Sequence, residues 1–498
     1  MNLPGMSAAM LLTLVSVTCA ADWPQWGGSA ERSMVSPEKN LPETFVPGKR
    51  SVDGGTIDLS EAQHVRWAVR LGSETYGTPV VAQGRVLVGT NFVDNDPRYT
   101  GNRATLLCFD EKSGALLWQL SLPHPDTPNL ARGQKLGICA SPSVDGDRVY
   151  ICGWNDILCL ALDGQKDPRP GLAEQSRLVA GAGNPPIAPA ARDGKVLWRF
   201  DIARELGINT HDALAPAPLV VGDLVFVSTG NGVNQGHKVH ETPDAPCLVA
   251  LDKNTGKLAA QDSEHIGRNT YHGQWSSPSL AQVGGKPQVL YGGGDGVCYA
   301  FDPTPVGTPG KTATLKKLWS YDVNRGNARP YRSADGPSEV MSTPICVSDK
   351  VYVSTGQDWT HKPLGKGRLA CIDASASGVI AAPIWECADM AWSVGTPAVA
   401  DGLLYAADLG GTLHCLDAAS GQVLWRFADA GAFHASPLVA DNKVYIPDSR
   451  GKLYVFGHAR TQKLLATIDL HAATAGMVVA ANQTLFVATS RTLQAVAK

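Results

Sequence analysis

Residues 476–498 read GMVVAANQTLFVATSRTLQAVAK. Three short apolar strands fit into this stretch, parted by an Asn-Gln turn and a Thr-Ser-Arg turn, and then the chain stops. At the other end, residues 64–71 read HVRWAVRL, a single strand carrying Trp67 with no partner strands before it. Between these ends one unit recurs: a strand opened by Thr/Ser-Pro, a Gly/Asp/Asn turn, a β-branched strand, a loop, an apolar strand ending in Asp, and a Gly turn into a strand with tryptophan. The last unit lacks its fourth strand, and the chain opens on a fourth strand without a unit.

Working outward, the first strands of the units start at Pro79, Pro142, Pro218, Pro278, Pro344, Pro397 and Pro437, and an eighth starts at Met477 without the proline. Trp118, Trp198, Trp319, Trp385 and Trp425 hold the fourth-strand position, with Ala260 and Leu465 expected there in units three and seven. A four-stranded unit is too small to bury both of its faces, so repeats of this kind stack. A ring completed by one strand from the N-terminus leaves no open edge. The expected fold is therefore all-β: an eight-bladed β-propeller of four-stranded antiparallel blades over 64–498, its last blade closed by the N-terminal strand. An irregular segment over 21–63 precedes it. The tryptophans then belong to the packing between blades.

Composition narrows the class. Forty-three Lys+Arg against 46 Asp+Glu give a net charge of −3 with no basic stripe, which excludes a nucleic-acid footprint. No stretch is long and apolar enough for a transmembrane helix. The apolar run 8–17 followed by Thr18-Cys19-Ala20 reads as a signal peptide over 1–20, hence an exported protein of the periplasm or cell envelope. Ser16 and Thr18 depart from a lipobox, so a lipid anchor at Cys19 is not expected. Cysteines that recur at one parity near strand ends, such as Cys108, Cys371 and Cys415, read as free core thiols. Cys139 and Cys152, on neighbouring strands, form the one pair close enough to consider for a disulfide.

Strand order places the loops between second and third strands on the same face as the segments entering the first strands. Three of these loops are long, over 91–103, 231–246 and 357–368, and loops longer than their turn requires tend to carry function. The insertion 165–192, rich in Pro, Gly and Ala, reads as a flexible excursion at the other face. Three residues before each first-strand proline position stand Tyr76, Cys139, Ala215, Trp275, Met341, Val394, His434 and Thr474, converging on the channel. Together with His211, Asp212, His272, Glu339 and Trp392 nearby, they suggest a small-ligand funnel.

The runs CLVALDKNTGKLAAQDSEHIGRNTYHGQWSSPSL, YGGGDGVCYAFD and SEVMSTP resemble the PQQ-binding-like β-propeller repeat proteins of bacterial envelopes. That family includes the quinoprotein alcohol dehydrogenases and the BamB-type propeller of outer-membrane assembly. The resemblance to the dehydrogenases implies a calcium ligand at Asn231, in Ser228-Thr229-Gly230-Asn231. Asn231 is the one position that carries over; His272, Trp275, Glu339, Gln357, Trp392 and His434, at the channel end and its long loop, are the further candidates for binding a cofactor. Where those enzymes place a catalytic aspartate, this chain has Tyr271-His272-Gly273-Gln274-Trp275, and their adjacent cysteine pair is missing. No catalytic residue is therefore assigned. The expected function is a non-catalytic binding or scaffolding platform in the envelope, with no cofactor, contacting a protein, peptide or polymer through the long-loop face and Trp359. The alternative is a dehydrogenase dependent on PQQ and calcium that oxidises alcohols or sugars.

Overall fold

In the computed structural model the described residues are 21–51, 56–91, 96–124, 136–234, 236–307, 312–331, 333, 335–356 and 364–498. The leader with Cys19, and Gln357 and Trp359 in the long loop of unit five, lie outside them.

Eight antiparallel blades follow in chain order, over 80–123, 143–201, 219–261, 279–322, 345–387, 398–427, 438–469 and 479–496. In the last, Thr492–Val496 pairs antiparallel with Val65–Arg70, and Ala495 faces Trp67. The ring is thus closed by the N-terminal strand, as the broken final unit requires. Blades three, four and seven each gain a short fifth strand, Ala313–Thr314, Gly378–Val379 and Val35–Ser36, which runs parallel to its neighbour.

The tryptophans join blade to blade. Trp67 Nε1 donates to the Glu111 carbonyl of blade one at 2.8 Å, Trp118 to Leu162 of blade two at 2.9 Å, and Trp198 to Lys253 of blade three at 3.0 Å. Trp385 and Trp425 repeat the bond to Ala418 and Ala459, both at 3.1 Å. Trp319 reaches Gln288 Oε1 at 3.0 Å, and that amide passes the link on to the Ala374 carbonyl. Each ring needs a flat neighbour. A Cβ on Gly256 would stand 2.5 Å from Trp198, and that glycine has φ +72°, a left-handed turn that glycine adopts without strain. In blade seven the tryptophan position is Ala466, opposite Val455, rather than Leu465; the turn before the fourth strand is one residue longer, Gly457 N reaching Lys463 O where Asp417 N of blade six reaches Gln422 O.

Around the channel a Ser/Thr before the proline ties one blade to its neighbour at five of the junctions, Ala217 standing in that place in unit three. Ser141 Oγ accepts from Thr78 N, Ser277 Oγ from Ala217 N, Thr396 Oγ1 from Thr343 N and Ser436 Oγ from Thr396 N, at 2.8–3.0 Å. Thr78 Oγ1 in turn accepts from Met477 N at 3.1 Å, across the seam. The repeated Thr/Ser-Pro is therefore a girdle of hydroxyl-to-backbone bonds.

The insertion 165–192 is ordered, not a flexible excursion. Gln175–Ala180 is an α-helix whose Gln175 is buried and hydrogen-bonds Gly194 O and Val196 N. Asp193 takes a bidentate bond from Arg98 at 2.8 and 2.9 Å, which ties the described part of the first long loop, 96–103, to the end of this insertion. The ten cysteines among the described residues are all free, Cys139 and Cys152 included.

Residues 21–45 cross the inside of the ring. Trp23 exchanges backbone bonds with Val81, Pro24 accepts from Val144, Ala30 from Leu280 and Met34 from Val439. Arg32 is fully buried at the centre of this crossing. Its guanidinium donates to the carbonyls of Trp26, Pro278, Pro218 and Ala217. Burial pulls its pKa down to about 9, and the four carbonyl oxygens hold the charge in place.

Candidate functional site

The central channel opens into a cavity of about 610 Å³. Its wall is formed by the segments entering the first strands, and all eight residues standing three before the proline positions lie on it: Tyr76, Cys139, Ala215, Trp275, Met341, Val394, His434 and Thr474. Strand geometry explains the regularity. The first strands repeat one geometry around the ring, tied at five junctions by the girdle bond, so one offset from the proline lands at one height. Trp26 of the crossing segment also lines the cavity and donates from Nε1 to Thr343 Oγ1 at 3.2 Å, which puts a floor under the funnel.

The wall mixes aromatic, thioether and hydroxyl groups. Among its described residues Glu74 is the one carboxylate and His434 the one imidazole. Tyr76 is 46% exposed and presents its ring to any entrant. The Cys139 thiol, half-buried, has its pKa pushed up to about 12 by burial, with Glu74 and Asp212 adding to the shift, so it stays neutral. The volume lies in the range of small-ligand sites, and the wall offers stacking surface with few polar anchors.

The residues proposed from sequence divide into two groups. Trp275 and His434 lie on the cavity wall. Asn231, His272, Glu339 and Trp392 are buried away from it. Asn231 Nδ2 donates to the Thr242 and Ala245 carbonyls at 3.0 and 3.1 Å, and its Oδ1 accepts from Thr242 Oγ1 at 2.9 Å. Its amide therefore fastens the loop 231–246. Glu339 Oε1 accepts from the Tyr331 hydroxyl at 2.7 Å. Trp392 is fully buried, and its carbonyl accepts from Leu409 N.

His272 sits in a cluster that the sequence did not reveal as a whole. His211 Nε2 and His272 Nε2 are 2.8 Å apart, and His211 Nδ1 meets the Val233 carbonyl at 2.6 Å. His237, from the loop 231–246, brings its ring centroid to 5.0 Å from His211 and 4.7 Å from His272. Trp275 packs edge-on against His272 at 4.8 Å, so the indole separates the three imidazoles from the cavity. His237 carried no signal in the sequence, because only the loop's conformation turns it inward.

A family model described as outer membrane protein assembly factor BamB matches residues 51–166, 102–386 and 365–491. No curated protein matches the chain. Among solved structures, BamB from Moraxella catarrhalis superposes with a TM-score of 0.57 at 15% identity, covering 86% of this chain and 99% of that one. The computationally designed Ika8 protein gives 0.54 at 12% identity over 87% of this chain and 100% of its own. A quinohemoprotein alcohol dehydrogenase from Comamonas testosteroni gives 0.43 at 14% identity, covering 96% of this chain and 81% of that one. At these identities the first two likenesses speak for the fold alone. No helix among the described residues is long and apolar enough to cross a membrane.

Proposed function

The chain belongs to the family of outer membrane protein assembly factor BamB, and from that membership we propose that it is an exported, envelope-located docking propeller that binds a partner without transforming it. The observation that carries this reading is the blind central funnel, floored by Trp26 and walled by Tyr76, Trp275, Met341 and His434. Aromatic and thioether groups on a rigid ring suit the anchoring side chains of a protein or peptide segment. The loop 231–246 stands beside this mouth, behind Trp275, and adds to the contact face. The signal-peptide reading of 1–20 and the name of the family both agree with an envelope protein and a protein partner.

The rival is oxidation of an alcohol or sugar with PQQ and calcium, in which the bound quinone would accept hydride. Calcium takes about six to eight oxygen ligands. The residues here do not fit it: the Asn231 amide is engaged by its own loop, and His272 lies among imidazoles. No catalytic step is assigned to them.

The test pairs two measurements on the full-length protein. Immobilised protein should retain an envelope partner, and Tyr76→Ala with Trp275→Ala should release it; recovery unchanged by both substitutions would remove the funnel from the reading. Mixing with PQQ and Ca²⁺ should yield neither a bound-quinone absorbance nor dye reduction with alcohols and sugars. Turnover would establish the rival.

A further inference from the structure

We propose that His211, His237 and His272 form a binding site for a divalent first-row transition metal ion of the zinc class. Three separate elements deliver the ligands. His211 stands in the segment entering blade three, His237 in the loop after the second strand of that blade, and His272 in the segment entering blade four. One ligand nitrogen from each lies within 4.8 Å of the other two.

The donor set decides the class of ion. Imidazole nitrogen suits zinc, copper, nickel and cobalt, whereas calcium and magnesium take oxygen. Zn–N bonds of about 2.0–2.1 Å in a tetrahedron put the nitrogens about 3.3 Å apart. The 2.8 Å His211–His272 pair therefore opens by about half an ångström, and His237 closes in. The distribution of burial allows that adjustment. His211 and His272 are 3% and 2% exposed and held by the blades, while half-buried His237 rides on a loop.

Orientation supports the same assignment. The 2.6 Å contact from His211 Nδ1 to the Val233 carbonyl requires the proton on Nδ1, which turns the Nε2 lone pair towards the cluster. A backbone carbonyl behind a ligating histidine is the usual outer partner of such a site. Without metal, the His272 Nε2–H donates to that lone pair; an ion takes the place of the proton as His272 shifts its hydrogen to Nδ1. Asp212 Oδ2 stands 3.6 Å from His211 Nε2, within reach of a fourth position. Trp275 covers the cluster on the cavity side. An ion here ties the loop 231–246 to blades three and four, directly behind the funnel wall. This site stands independently of the docking function.

The full-length protein, stripped with a chelator, is titrated with Zn²⁺ by calorimetry, with Ca²⁺ as the control ion, and Co²⁺ is added separately for its visible spectrum. One zinc per chain is expected, with a zinc-dependent rise in thermal midpoint, no calcium effect, and cobalt bands of tetrahedral intensity. Losing an outer partner of a metal ligand costs about 10–100-fold in affinity, so His237→Ala should weaken zinc binding by at least about a hundredfold. Its place on a half-buried loop keeps the fold intact, which far-UV circular dichroism checks. His471→Ala, at an exposed histidine, should bind as the parent does. Absence of saturable zinc binding in the parent, or parent-like affinity in His237→Ala, overturns the proposal.

Discussion

Trp67 and Glu111 meet across the point where the ring closes: the indole Nε1 donates to the Glu111 carbonyl at 2.8 Å, and the ring lies against Gly114 of the same turn. One side chain thus joins the strand that completes blade eight to blade one. Trp67→Ala should destabilise the protein by about 3–5 kcal/mol, as large aromatic truncations in cores do. Trp67→Phe keeps most of the packing and should cost less than the alanine variant, the lost hydrogen bond alone accounting for about 1 kcal/mol. Denaturant titration that leaves the alanine variant within about 1 kcal/mol of the parent would mean the seam is not held here.

Arg32→Met keeps the length of the stem and takes the guanidinium from the Trp26, Ala217 and Pro278 carbonyls, while Pro218 O keeps its bond from Ser143 Oγ. A buried group deprived of its partner costs about 1–3 kcal/mol. Because those carbonyls belong to the crossing segment and to blades three and four, the loss should loosen 21–45 before the blades. Limited proteolysis should cut that segment first and faster than in the parent. Equal cutting rates would contradict the role given to Arg32.

Asp295 is buried in the turn of blade four, where it accepts from the Tyr299 hydroxyl at 2.6 Å and Val297 N at 3.2 Å. Burial pushes its pKa up to about 7, against 3.8 for an ordinary aspartate. Between those values the folded chain holds a proton that the unfolded chain has lost. Its contribution to stability is therefore full below the lower value and lost as the pH rises through 7. Asp295→Asn cannot ionise, so it should gain on the parent as the pH is raised from about 5 to about 8. Thermal midpoints whose difference stays constant over that interval would refute the shift.

Cys139 is the one half-buried cysteine among the described residues, the other nine being buried. Its thiol is kept neutral, yet it faces the cavity. With iodoacetamide at neutral pH it should be the first cysteine modified among these ten, and more slowly than in the unfolded chain. A partner seated in the funnel should slow it further. Mass spectrometry that finds a blade cysteine modified ahead of Cys139 would show the funnel is narrower than described.

Legibility followed how local each constraint is. The positions from Tyr76 to Thr474 were readable because one offset from a repeated proline maps onto one height in the ring. The sequence points to Leu465 in place of Ala466 because the turn after Gly457 holds one residue more than its counterparts, and a turn without a Gly signal does not show its length in the sequence. Asn231 matched a ligand motif, yet its amide binds its own loop. A motif specifies residue types; where the side chain points depends on the loop that follows it.

By itself the sequence determined the repeat, the count of blades and the strand that closes them, since a unit with unburied faces and a missing edge has one compact solution. Only the tertiary structure decided that 21–45 floors the channel through Arg32 and Trp26, and that His211, His237 and His272 converge. Those arrangements join residues remote in the chain through loops of no regular period, and the positions of such loops are set by packing against blades already formed.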